Sequence, residues 1–234
     1  MQTAAIEIDR LSFDWQPGTP VLTIEALRIE RGERLFIRGP SGSGKSTLLS
    51  LIGGVLAPTR GQIRVLGQPL QELGGAARDH FRAHHLGVIF QLFNLLPYLS
   101  MLENVLLPCH FSTRRREQAL ARSGSLRDEA QRLLEHLQLA DAGLQRRPVS
   151  QLSIGQQQRV AAARALIGSP EILIADEPTS ALDTDARDAF IELLLQESAR
   201  QGSTLLFVSH DAALAPHFER QLDLTHLNRV GETS

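Results

Sequence analysis

A short apolar run, Arg34-Leu-Phe-Ile-Arg38, stops at a glycine and opens onto Gly39-Pro40-Ser41-Gly42-Ser43-Gly44-Lys45-Ser46-Thr47, with a helix expected from about Lys45. This is the pattern G-x-x-x-x-G-K-[ST] in strand, loop, helix order, which places the chain among α/β folds with a phosphate-binding loop. Gly39, Gly42 and Gly44 let backbone N–H groups turn inward around phosphates, and the helix start adds positive potential. Lys45 is positioned to reach β- and γ-phosphates, and the Ser46 hydroxyl to ligate Mg²⁺.

Around that loop the patterning is mixed. Residues 4–15 alternate through Ile6, Ile8, Leu11, Phe13 and Trp15 with a slip near Asp9, then Gln16-Pro-Gly-Thr-Pro20 turns the chain into a second strand, Leu22 to Ile29. Further short strands are expected at Gln62–Leu66 and Leu86–Phe90. From about residue 98 to 165 the period becomes helical, as in Ala130, Leu133, Leu134 and Leu137, and reads as an insertion. The continuous apolar runs Ile172–Ala175 and Thr204–Val208 flank an amphipathic stretch from Thr184 to Arg200, a β-α-β order suited to parallel strands buried on both faces.

Ile172-Leu-Ile-Ala-Asp176-Glu177 ends a buried strand in two carboxylates. Beside a magnesium triphosphate, Asp176 would hold the metal through its water shell and Glu177 would polarise an attacking water as general base. Kinases, GTPases and many ATPases share these two features. What separates them is Leu152-Ser153-Ile154-Gly155-Gln156, where a hydroxyl and free N–H groups at a helix start offer a second anion site that one nucleotide does not need.

At this point the sequence resembles the ATP-binding subunits of ABC transporters, whose signature is usually written LSGGQ. The resemblance implies a P-loop NTPase (RecA-like) α/β core with an antiparallel β subdomain and an inserted α-helical subdomain, all in one domain. The core and β subdomain would take residues 1–91 and 166–234, and the helical subdomain 92–165. It implies a homodimer binding ATP and Mg²⁺ between protomers, the phosphate loop of one facing Ser153, Gly155 and Gln156 of the other. Gln91 matches the glutamine that touches the metal and senses a transmembrane partner. Asp183 in Ser180-Ala-Leu-Asp183 matches the D-loop, and His210 matches the switch histidine that contacts the γ-phosphate. An early aromatic stacks on adenine in this family; Trp15 fits the spacing best and Phe13 competes.

Gln91-Leu-Phe-Asn-Leu-Leu-Pro97 and Leu102-Glu-Asn-Val105 look most like the branch of LolD-like, MacB-like and FtsE-like ATPases. That resemblance implies a peripheral subunit on the cytoplasmic face of the inner membrane. Its partner would be a permease with few spans and a large extracytoplasmic domain, and its work export or extraction by conveyed motion. The FtsE-like alternative is a regulatory ATPase that switches an extracytoplasmic enzyme without transport. Leu92, Phe93, Leu95, Leu96, Tyr98 and Leu102 are candidates to grip a partner helix. Two departures from the family pattern stand out. Ile154 replaces a glycine, and its β-branch is expected to resist positive φ and crowd the dimer approach, lowering hydrolysis or making it partner-dependent. The segment Gln221 to Arg229 keeps a strand's apolar rhythm without the family's acidic-glycine turn.

Composition removes other classes. With 24 Lys+Arg against 26 Asp+Glu the chain lacks the basic excess of a nucleic-acid binder, so no nucleic-acid partner is expected. The basic stretch Arg114-Arg-Arg116 through Arg122 and Arg127 is either a solvated helical face or a contact for acidic headgroups or a partner. Cys109 alone cannot build a disulfide framework, and no apolar run approaches the ~18 residues of a membrane span. The N-terminus has no signal-peptide pattern, and a reducing, cytosolic setting follows as the expectation. A P-loop kinase or GTPase would leave the signature unexplained. A soluble DNA-repair ATPase would need heptad arms or zinc cysteines, which the sequence lacks.

Overall fold

The computed structural model describes residues 4–180 and 182–230. Along the chain run β1 (Ile6–Gln16), β2 (Thr19–Ile29), β3 (Arg34–Arg38), α1 (Lys45–Ile52), β4 (Arg60–Val65), β5 (Gln68–Pro69), α2 (Gly75–His85), β6 (Leu86–Ile89) and α3 (Met101–Phe111). There follow α4 (Thr113–Ser123), α5 (Leu126–His136), α6 (Ala142–Gln145), α7 (Ile154–Leu166), β7 (Ile172–Asp176), α8 (Thr184–Gln201), β8 (Thr204–Val208), β9 (Arg220–Asp223) and α9 (Leu224–Leu227). They form two compact units, one comprising the chain as far as Arg82 and again from Thr204, the other residues 83–203.

In the first unit β1 is an inner strand of an antiparallel sheet ordered β2-β1-β4-β5, pairing β2 from Ile6↔Ile29 to Gln16↔Thr19 and β4 from Ile6↔Val65. Its alternation buries Ile6, Ile8, Leu11 and Phe13 on one side. The slip near Asp9 is a bulge: Arg10 turns to φ 45° and the β1–β4 register shifts between Asp9 and Ser12. Gly61, at φ 77°, lies so close to the Arg10 carbonyl that a β-carbon there would overlap it. The parallel strand β3 pairs β8 through Ile37↔Val208 and β9 through Ile37↔Leu222, and Phe36, Phe207 and Phe218 pack with ring centroids 5.1–6.2 Å apart. The expected last strand is shorter than its apolar rhythm suggested. It stops at Asp223, whose carboxylate accepts from Thr225 to start α9 and pairs with Arg38 at 3.1 Å.

In the second unit the parallel pair β6–β7 runs from Leu86↔Ile172 to Ile89↔Ala175, with α3, α5, α7 and α8 supplying the buried Met101, Val105, Leu133, Leu134, Val160, Leu166, Phe190 and Leu194. Of the basic stretch, Arg115 alone is taken into the interior, while Arg116, Arg122 and Arg127 are exposed. Arg115 is buried and donates Nε to the Ile167 carbonyl at 2.7 Å and its terminal nitrogens to the carbonyls of Ala165, Arg164 and Leu86, closing the end of α7. Burial pushes its guanidinium down to about 10. Arg114 pairs with Glu171. A second internal network joins α5 to α8, where Arg132 donates to the buried carboxylates of Glu129 and Glu197 at 2.8 Å each. No helix among the described residues is long and apolar enough to cross a membrane.

Candidate functional site

The phosphate loop begins where β3 ends. Gly42 and Gly44 take φ 81° and 96°, and Gly44 caps α1 with no side-chain bond and no acidic residue in the first turn, so the first turn itself brings no competing carboxylate to its N–H groups. Lys45 folds back over the loop, donating Nζ to the carbonyls of Gly39 at 2.7 Å and Pro40 at 3.0 Å. Ser43 closes the turn onto the Pro40 carbonyl at 3.2 Å, its hydroxyl buried without a partner. Ser41 and Ser46 are exposed, and Thr47 is half-buried. β8 lies parallel beside β3 with Val208 opposite Ile37, so exposed His210, two residues past Val208, leaves the same strand ends as Gly39. Carboxyl ends of parallel strands are where such folds bind ligands.

Trp15 and Phe13 divide the aromatic candidates. Phe13 is 7% exposed and Trp15 61%, edge-on to it with centroids 4.9 Å apart. Phe13 pairs across the sheet with Leu22, whose methyl lies against Gly44, so this end of β1 is linked through one side chain to the phosphate loop.

The second unit repeats the strand-end arrangement. β7 carries Asp176 and Glu177 at its end, and its neighbour β6 carries Gln91 two residues past Ile89, which is paired with Ala175. Glu177 sits at φ 48°, a strained backbone for a residue with a β-carbon, and strain of this kind gathers at reactive positions. Past Gln91 come two more left-handed residues, Phe93 and Asn94, whose carbonyls accept from Arg164 of α7. Asn104, fully buried, holds the next stretch by bonding both main-chain groups of Leu96 and the carbonyls of Leu99 and Ser100. The six apolar candidates after Gln91 part company. Leu92 is 83% and Tyr98 72% exposed, Phe93 is buried, and Leu95, Leu96 and Leu102 are half-buried.

Ser153 caps α7 in a capping box with Gln156: its hydroxyl accepts from the Gln156 N–H at 3.3 Å, and its own N–H donates to Gln156 Oε1 at 2.9 Å. That leaves the exposed hydroxyl of Ser153 and the N–H groups of Ile154 and Gly155 at the helix start. The positive φ that the β-branch of Ile154 is expected to resist is not asked of it here. Ile154 is the first helical residue, a place where a β-branched side chain fits without strain, and it is 53% exposed. Asp183 caps α8 by accepting from the Ala186 N–H at 2.9 Å. Sequence reasoning missed Arg164, Arg115 and Asn104. Each looks like a surface or helix residue in sequence, and each acts through main-chain carbonyls brought near by tertiary packing.

Residues 23–180 match the family model described as ABC transporter. The chain is 40% identical over 234 residues to the lipoprotein-releasing system ATP-binding protein LolD 2 of Rhodospirillum rubrum, covering 99% of this chain and 90% of that one. It is 43% identical over 206 residues to the ABC transporter ATP-binding protein YbbA of Escherichia coli K12, covering 88% of this chain and 86% of that one. Among solved structures, the ATP-binding cassette MJ0796 in a dimeric post-hydrolysis state with ADP and Pi superposes with a TM-score of 0.80 at 36% identity over 93% of both chains. With the phosphate loop, the strand-end carboxylates and the capped signature in one chain, this likeness is of sequence and architecture together, and the chain belongs to the ABC transporter family as one of its ATP-hydrolysing cassettes.

Proposed function

We propose that this cassette binds ATP with Mg²⁺ between two copies of itself and drives a LolD-like membrane partner from the cytoplasmic face of the inner membrane. The observation that carries the dimer reading is the pair of anion-ready helix starts in one chain, Gly39–Thr47 and Ser153–Gly155, both open to solvent. ATP contacts both protomers only in the closed form and so stabilises that form selectively. In this reading Lys45 exchanges the Gly39 and Pro40 carbonyls for β- and γ-phosphate oxygens, the loop N–H groups hold the β-phosphate, and Trp15 stacks on adenine. Asp183 and Gln156 shape the facing edge of the partner copy's site.

Among the described residues no three His, Cys, Asp or Glu side chains converge to hold a cation by themselves. Exposed Ser46 and Gln91 and half-buried Asp176 offer oxygen donors of the kind Mg²⁺ takes and would hold it beside the phosphates. When bound, Mg²⁺ neutralises charge on the β- and γ-phosphates. Glu177 takes a proton from the attacking water, and His210 donates to the γ-phosphate. Residues 92–165 form the helical subdomain that moves with the partner, reached through Gln91 and the outward Leu92 and Tyr98. The partner is a permease with few spans and a large extracytoplasmic domain, and the work is export or extraction of a substrate, as the name of LolD 2 suggests for that relative.

Glu177→Gln keeps the binding groups and removes the base, so MgATP is expected to hold it as a stable dimer by light scattering while wild type returns to monomer. From detergent-extracted membranes the same variant should bring down a protein of about four spans with a large extracytoplasmic domain. A variant that stays monomeric in MgATP, with or without membranes, contradicts the sandwich, and a many-span partner contradicts the branch.

A further inference from the structure

Three glutamines follow one another in the first turns of α7, and the fold gives each a different fate. Gln156 closes the capping box, and Gln157 donates Nε2 to the Leu152 carbonyl at 3.0 Å. Gln158 is fully buried, and neither its Nε2 nor its Oε1 has a hydrogen-bond partner. The other buried positions of α7 are Val160, Ala161, Ala162, Ala163, Ala165 and Leu166, so Gln158 is the one polar side chain among the buried positions of this helix. A primary amide that has left water and gained no partner is less stable in such a place than an apolar side chain of equal volume. Packing alone therefore gives no reason for a glutamine here.

The position of the residue supplies one. Three residues earlier on the same face of the helix, Gly155 lies against Leu182, whose methyl would be 3.6 Å from a β-carbon added to the glycine. Leu182 belongs to the stretch that joins the strand-end carboxylates to Asp183. That stretch is held by long main-chain bonds, Ser180 N–H to the Glu177 carbonyl at 3.4 Å and Leu182 N–H to the Thr179 carbonyl at 3.2 Å. A turn held by bonds this long can shift, and a shift that brings one of its carbonyls or N–H groups to Gln158 would give the amide the partner it lacks.

We propose that Gln158 is a positioning residue that couples the signature helix to the segment from Glu177 to Asp183, its amide taking main-chain hydrogen bonds from that segment when nucleotide closes the cassette. Because the amide is unpartnered in the present conformation and partnered in the closed one, it favours closure selectively. It fixes Glu177 and Asp183 against Ser153 and Gly155 without touching nucleotide. The inference rests on the nucleotide-driven closure proposed above and names the residue through which the signature and the general base of one protomer move together.

Gln158→Met keeps volume and helix propensity while removing both hydrogen-bonding groups. The expected result is a melting temperature at or above that of wild type, unchanged binding of a fluorescent ATP analogue, an unchanged KM and a kcat lower by roughly tenfold, about one strong hydrogen bond's worth of transition-state positioning. In parallel, hydrogen–deuterium exchange across residues 177–183 should slow on adding MgATP in wild type and fail to slow in the variant; this measurement decides where the two differ. Gln158→Leu is measured alongside and should behave alike, so that a folding failure of either leaves the other to report. A purely structural glutamine leaves kcat and the exchange protection at wild-type levels in the variants, which overturns the coupling alone. Wild type that fails to bind the analogue overturns the nucleotide reading beneath it and the coupling with it.

Discussion

Arg164, in the last turn of the helix that begins at the signature, donates both terminal guanidinium nitrogens to main-chain carbonyls, at 2.6 Å to Asn94, with Phe93 as the second acceptor; both acceptors hold left-handed backbone angles, φ 48° and 59°. The two residues follow Gln91 closely, so the turn that orients Gln91 is held by the helix that carries Ser153. Burial lowers the Arg164 guanidinium below its ordinary value.

Arg164→Ala removes two charge-assisted bonds from a strained turn and is expected to cost about 2–3 kcal/mol of stability. The same change should loosen Gln91. On the role proposed for Gln91 as the relay to a membrane partner, basal ATP hydrolysis is then expected to fall less than hydrolysis in the partner's presence. Urea unfolding and ATPase rates with and without that partner check both halves; Arg164→Lys, which cannot span two carbonyls in a planar fork, should restore little.

At Gly61 both backbone and space exclude a side chain, because φ is 77° and the Arg10 carbonyl occupies the β-carbon position. Gly61→Ala is expected to destabilise the antiparallel sheet by at least about 2 kcal/mol, through strain and displacement of the bulge. The expected loss appears as a lower melting temperature. An unchanged value would show that the bulge moves freely.

Acid should unlock the α5–α8 network. Burial pushes the Glu197 carboxyl up, but hydrogen bonds from Arg132 and Gln201 and the charges of Arg132 and His136 pull it further down, leaving it below the usual carboxylate range. A carboxylate lowered on folding contributes stability above its unfolded value and loses it as pH falls through that value toward the folded one. Glu197→Gln is therefore expected to be several kcal/mol less stable than wild type near neutrality, of the order of 3 kcal/mol for a broken buried pair, and nearly equal to it in strong acid. Urea titrations at the two pH values test this, and an equal deficit at both would remove Glu197 from the acid response.

What the sequence made legible was local. The phosphate loop carries its own geometry in its glycines, the continuous apolar run Ile172–Ala175 suits a doubly buried strand, and the slip near Asp9 in the alternation falls where β1 has its bulge. Strand ends were harder: β2 starts at Thr19 and not Leu22, because Pro17-Gly18 alone make the turn. Helix α2 gave little signal, since Gly74-Gly75 precede a largely polar stretch in which only His84 is buried. Arg115 looked like one charge in a basic face and is buried against four carbonyls that come from other elements. Nothing near Arg115 in sequence encodes those partners. Tertiary packing supplies them.

The strain at Glu177 was equally invisible, and it has a measurable consequence. At φ 48° the residue pays for a backbone that asparagine tolerates better than glutamate. Glu177→Asn is expected to raise stability by about 0.5–1 kcal/mol through relief of that strain, while hydrolysis falls to background on the base role proposed for Glu177, which the shorter amide cannot fill. Thermal unfolding beside a phosphate-release assay separates the two effects. A variant both less stable and inactive would mean that the surroundings of Glu177 stabilise its carboxylate by more than the backbone strain costs, and that this site was selected for charge before geometry.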